Sequence, residues 1–226
     1  MEMETKDKDS LRYVAISLSV TALSNQLAYH LGRVIGQGRP HWNLTLPIER
    51  AIPFLPATIS IYFGCFFFWA AAYLLMFCQE ERESDRFFCA NLLANCACFF
   101  CFILFPTTNV RPAFSVVTIW DEMTQFLYRV DAPDNLFPSV HCMVSWFCWI
   151  GVRGRKDYSP VWRAFSLIMA IAVCVSTLTT RQHVLLDVAG GILLSEFAYW
   201  LAGHRRVRLW YDHMIGRCMR ISGSER

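Results

Sequence analysis

Long apolar stretches broken by short polar ones run through this chain from end to end. A helix needs about 20 predominantly apolar residues to cross a bilayer, and six stretches of that scale predict helices at roughly 11–31, 53–78, 87–105, 136–152, 162–180 and 183–203. Pro53 and Pro56 suit the first turn of the second helix. Gln79 to Arg86 is a charged turn between the second and third. The longest connection, Pro106 to Asn135, is of a length that compact bundles reserve for function. Within it Trp120, Met123, Phe126, Leu127 and Val130 recur at helical spacing, predicting a short interfacial helix over a site. Pro133-Asp134-Asn135 then turns the chain into the next span, with Asp134 or Asn135 as its cap.

Composition turns this pattern into a class. Hydrophobic residues make up 55% of the 226 positions and charged ones 17%, against about 25% charged in soluble domains. The expected fold is all-α: a polytopic membrane protein whose six transmembrane helices form one bundle. Residues 1–10 would be a cytoplasmic segment, 11–203 the helical domain and 204–226 a basic cytoplasmic tail. Before the first span stands only a short segment of mixed charge, and Asn25, Gln26 and His30 follow without a small-residue cleavage site, so a retained first helix is expected over a cleaved signal.

Charge sets the expected orientation, because short cytoplasmic loops retain Lys and Arg. With the N-terminus inside, 15 of the 21 basic residues are cytoplasmic, and Arg33, Arg39, Arg50, Arg111, Arg129 and Arg181 lie on the other face. The net charge of +3 is dispersed, which argues against a nucleic-acid partner. Lipids are the expected partners, as substrate and as solvent. The tail around Trp210 and Tyr211 reads as an interfacial anchor or as a disordered basic end. Most of the ten cysteines fall in apolar runs, as small buried hydrophobes do.

Two histidine segments stand at the edges of apolar runs on the non-cytoplasmic side. One is Phe137-Pro138-Ser139-Val140-His141; the other is Arg181-Gln182-His183-Val184-Leu185-Leu186-Asp187. If a helix starts at His183, Asp187 falls on the same face and its carboxylate reaches the ring. That contact fixes a tautomer and leaves the other nitrogen as nucleophile or base, with a second histidine as the complementary acid. Arg111, Arg181 and Ser139 near them suit a phosphate. Glu49 and Arg50 read as interface residues with possible substrate contact. Glu196, within the last span, draws attention because charge is costly in hydrocarbon. His141, His183 and Asp187 also have the composition of a metal site.

These segments, with Val110-Arg111-Pro112 upstream, resemble the three signature motifs of the type 2 phosphatidic acid phosphatase superfamily, which includes membrane lipid phosphatases, vanadium haloperoxidases, and inositol phosphorylceramide and sphingomyelin synthases. Three departures stand out. Leu104 occupies the place of a signature Lys, Val140 that of a Gly, and Arg181 and His183 are separated by one residue where five are usual. The compact spacing is more similar to the sphingolipid phosphotransferase branch. The resemblance implies a metal-independent enzyme without cofactor in the plasma (inner) membrane. In it His183 is the nucleophile that becomes phosphohistidine, Asp187 orients it, His141 is the acid, and Arg111, Arg181 and Ser139 hold the phosphoryl oxygens. The implied activity is hydrolysis of a lipid phosphomonoester such as phosphatidic acid, or transfer of the phosphoryl headgroup to a second alcohol through the same His-His-Asp site. A transporter or non-catalytic membrane protein is the reading from another class; transporters place charge at the midplane in repeated halves, whereas here polar residues gather at one edge and no repeat is visible.

Overall fold

The computed structural model describes residues 2–77 and 81–223, with side chains over 12–76 and 83–220. Helix α1 (Glu2–Gly36) is followed by two short 3-10 turns, Pro47–Ala51 and Pro56–Thr58, that lead into α2 (Ile59–Phe77). Then come α3 (Glu81–Leu104), α4 (Ile119–Val130), α5 (Val140–Ile150), α6 (Pro160–Thr179), α7 (Leu185–Ala202) and α8 (Arg205–Gly223). A short parallel pair, β1 (Trp42–Asn43) on β2 (Thr107–Thr108), ties the loop after α1 to the loop after α3.

The fold is nearly all-α, as expected. Among the described residues four helical segments are long and apolar enough to cross a membrane: Pro56–Met76, Glu83–Leu104, Pro160–Thr179 and Leu185–Ala202. Their outer faces carry side chains such as Phe67, 83% exposed, and Leu193, 68% exposed, a surface suited to hydrocarbon. This is a membrane protein. Four of the six expected spans are met among the described residues; α5 is apolar but only 11 residues long, and α1 is not one of the four. Helix α1 packs along α3, α3 on α7, and α5 against both α6 and α7. The core between them holds Phe87, Phe88, Met143 and Phe147.

Three expectations change here. Helix α5 begins at Val140, not near 136, because Ser139, not Asp134 or Asn135, caps it by accepting from the Cys142 N–H at 3.3 Å. Residues before it are held elsewhere: the Leu136 and Phe137 N–H groups donate to Thr107 Oγ1, and Asn135 takes a left-handed φ of 51°, which asparagine tolerates. The basic tail is not a disordered end; it forms α8, which buries Tyr211 and Ile215 in the core. Glu196 is paired with Arg153 at 2.5 Å and accepts from Trp146 Nε1. It thus sits at the opposite end of α5 and α7 from the histidines.

The predicted interfacial helix is α4. Thr118 and Asp121 close a reciprocal cap at its start, which satisfies two otherwise orphaned amides. Its Leu127 buries against Ile59 and Tyr62 at the top of α2.

Candidate active site

His183 follows α6 in a tight reversal. The Thr177 carbonyl accepts both the Gln182 N–H at 2.9 Å and the His183 N–H at 3.1 Å, turning the chain back toward α7. His183 precedes the helix instead of starting it, so the pairing with Asp187 differs from two residues on a helical face. Asp187 is the third residue of α7 and reaches back: Oδ2 accepts the Val184 N–H at 2.9 Å and lies 3.3 Å from His183 Nδ1. This is a capping carboxylate at the positive end of a helix dipole. It is fully buried, and its Oδ1 has no hydrogen-bond partner among the described residues. With Nδ1 donating to the carboxylate, His183 Nε2 is the open nitrogen.

His141 stands in the first turn of α5. Its ring stacks on Tyr62 with centroids 4.3 Å apart, and Trp69 lies 5.4 Å away. The two histidine rings are 6.1 Å apart. Glycine brings them this close. A Cβ on Gly191 would stand 2.5 Å from the Ser139 carbonyl oxygen, and one on Gly190 would stand 2.5 Å from the Phe137 ring. Without side chains there, α7 approaches the start of α5, and the Ser139 N–H donates to the Asp187 carbonyl at 3.0 Å.

Arg181 adopts a left-handed φ of 54°, a conformation that costs about 1–3 kcal/mol outside glycine. Its surroundings hold it there. Asn109 Nδ2 donates to its carbonyl at 2.9 Å, and its guanidinium donates to the Glu49 and Ile52 carbonyls at 3.2 and 2.6 Å. Arg111 donates to the Tyr128 and Asp131 carbonyls and to Gln182 Oε1, lies 4.5 Å over the Tyr128 ring, and keeps a buried Nε without a partner among the described residues. Burial lowers the Arg111 pKa from its ordinary value, with Asp131 acting the other way. Burial pushes the Tyr128 phenol up to about 12, keeping it neutral as it donates to the Thr180 carbonyl at 2.7 Å.

Glu49 is buried, its carboxylate accepting the Leu46 N–H at 2.9 Å, whereas Arg50 is exposed. Leu104, in the place of the signature Lys, is 73% exposed on the outer surface and brings nothing to the site. Sequence reasoning missed Asn109, Gln182, Tyr128 and Tyr62. Adjacency to Arg111 and Arg181 was the only signal for the first two.

Two cavities meet at His183. One, of about 260 Å³, is lined by Glu49, Asn109, Val110, Pro112, Arg181 and Val184. The other, of about 390 Å³, opens on the His141 side between α1, α2 and α4. Among the described residues no group of three or more His, Cys, Asp or Glu side chains is arranged to hold a metal ion; His141, His183 and Asp187 do not form one.

A helix-bundle membrane protein in which a carboxylate-held histidine faces a second histidine, with guanidinium groups beside them, defines a class of phosphoryl-handling proteins. The PAP2 superfamily profile matches residues 42–201, from β1 to the end of α7, and the chain belongs to that superfamily. Its activity is therefore of the phosphatase or phosphotransferase type. No curated protein and no solved structure matches the chain significantly.

Proposed function

We propose that this protein is an integral-membrane lipid-phosphate phosphatase that works through a phosphohistidine. The observation that carries the reading is the His183–Asp187 pair facing His141 across 6.1 Å. A phosphoryl group fits between them, since reacting atoms sit about 3–3.5 Å apart before attack.

His183 Nε2 attacks phosphorus, forming an N–P bond as the P–O bond to the lipid breaks. His141, protonated, gives its proton to the departing alkoxide, which leaves as an alcohol. Asp187 stabilises the positive ring that results. Water then surrenders a proton to His141 and attacks phosphorus, releasing inorganic phosphate and restoring His183. Arg181, Arg111 and Ser139 clamp the phosphoryl oxygens as charge moves among them. A guanidinium carries five N–H donors, so the carbonyl contacts of Arg181 leave others for substrate. Glu49 supports the clamp through its carbonyl, with Arg50 at the rim. The chemistry asks for neither metal nor cofactor.

The fold in the membrane has six spans, with α1 and α5 joining the four apolar helices, both termini cytoplasmic, and the site at the outer face of the plasma membrane. The distribution of basic residues supports that orientation.

Transfer to a second alcohol is the alternative. The compact spacing of Arg181 and His183, and a cavity beside His141 larger than water needs, favour it. Purified protein given phosphatidic acid, and separately a phosphodiester lipid with an acceptor alcohol, tests both. Inorganic phosphate from the first supports hydrolysis; a new lipid from the second supports transfer. Neither product would overturn the assignment.

A further inference from the structure

The cavity beside His141 does not end at the histidines. It shares Asn25, Gln26, Phe66, Trp69 and Val140 with a second cavity of about 370 Å³ that continues down the bundle. Together they form one cleft with α1 and α2 as walls and α5 as floor. One face of α1 lines it, through Leu18, Ala22, Gln26 and His30, spaced four residues apart. At 1.5 Å per residue, Gln26 lies about 6 Å below His30 and Leu18 about 18 Å below.

Most polar groups near the cleft are engaged within the protein. Tyr73 donates to Asn91, Trp69 to Ser145, and Asn95 to Ser24 at 2.9 Å, while Asn25 reaches Asn95 at 3.3 Å. Gln26 is different: it is exposed, on the line where both cavities meet. An amide facing hydrocarbon is costly unless something bonds it.

We propose that the α1–α2 cleft takes a chain of the lipid substrate, and that Gln26, backed by Asn25, hydrogen-bonds the polar linkage just below its phosphate. This rests on the phosphatase reading above. The linkage is an ester, amide or hydroxyl, as in glycerolipid and sphingoid phosphates. A polyprenyl phosphate has no such group, so the cleft selects against it. The leaving oxygen lies at His141, which lines the same cavity, and the departing alcohol remains in the cleft.

The test compares kcat/KM of the full chain on phosphatidic acid, sphingosine phosphate and geranylgeranyl phosphate, wild type against Gln26→Leu. One lost hydrogen bond predicts a fall of about tenfold on the linkage-bearing lipids and a change within about twofold on geranylgeranyl phosphate. A fall on only one of the first two identifies the source of the linkage. Ala70→Trp, which fills the cleft, is expected to raise KM for phosphatidic acid while sparing phenyl phosphate. Equal effects of Gln26→Leu on all three lipids, or no effect, overturn the proposal. If the wild type releases phosphate from none of them, the phosphatase reading falls and binding decides the cleft. Fluorescent phosphatidic acid is then expected to bind about tenfold tighter than fluorescent polyprenyl phosphate to wild type but not to Gln26→Leu. Equal binding by wild type overturns the proposal.

Discussion

His183, Asp187 and His141 were legible in the sequence because each carries chemistry in its side chain, and two of them at a spacing that means contact. Asn109 and Gln182 were not, because an amide gains its meaning only from what it holds: here a strained Arg181 carbonyl and the Arg111 guanidinium. His183→Ala is expected to remove turnover while the protein stays folded, a loss on the scale of roughly 10⁶; activity at matched expression within tenfold of wild type would rule out the phosphohistidine. Asp187→Asn keeps a contact to the ring but favours the wrong tautomer, and a loss of about 10⁴ is expected from comparable pairs. His141→Ala separates substrates by leaving group. Alkyl phosphates, which need the acid, are expected to lose about 10²–10⁴ and aryl phosphates much less, as phosphate release would show.

At the scale of elements, the helices were legible from apolar length and the α4 segment from its periodicity. The start of α5 was misplaced because Asp134 and Asn135 look like caps, yet the backbone from 136 to 139 is already committed to Thr107 and Asp187. Such tertiary contacts leave no local trace. The glycine pair after Asp187, Gly190 and Gly191, serves packing. Gly191→Ala drives a methyl into the Ser139 carbonyl, and the expected cost is about 1–3 kcal/mol of stability. Separating the histidines by an ångström costs about 10²-fold in rate. Thermal unfolding and kcat measured together check both, and a variant unchanged in each would mean that the helices part freely.

Across the whole molecule, composition gave the membrane class and the charge bias an expected orientation, but not the docking of α8, whose Tyr211 reads locally as part of an interfacial tail yet is buried in the core. Cysteines placed singly at Thr108 and Asp131, in a background without native cysteines, are expected to react with an impermeant thiol reagent in sealed right-side-out vesicles. One at Asp157 should react only after permeabilisation. The reverse pattern would turn the site toward the cytoplasm. Glu196→Gln weakens the Arg153 pair at the far end of the bundle and is expected to leave kcat within about twofold, since half-exposed pairs contribute roughly 0–1 kcal/mol.

The site is also stitched from segments remote in sequence: Arg181 to Glu49 across 132 residues, Asn109 to Arg181 across 72, Leu136 to Thr107 across 29. On the proposed mechanism, a nascent chain therefore has no competent nucleophile until the ribosome has passed the last of these helices, and it cannot act while half-made. The exposed turn at Gly154, with its left-handed φ of 72°, is the natural place to cut. Fragments 1–156 and 157–226 are expected to be inert apart, one holding His141 and the other His183, and to regain phosphate release when synthesised together.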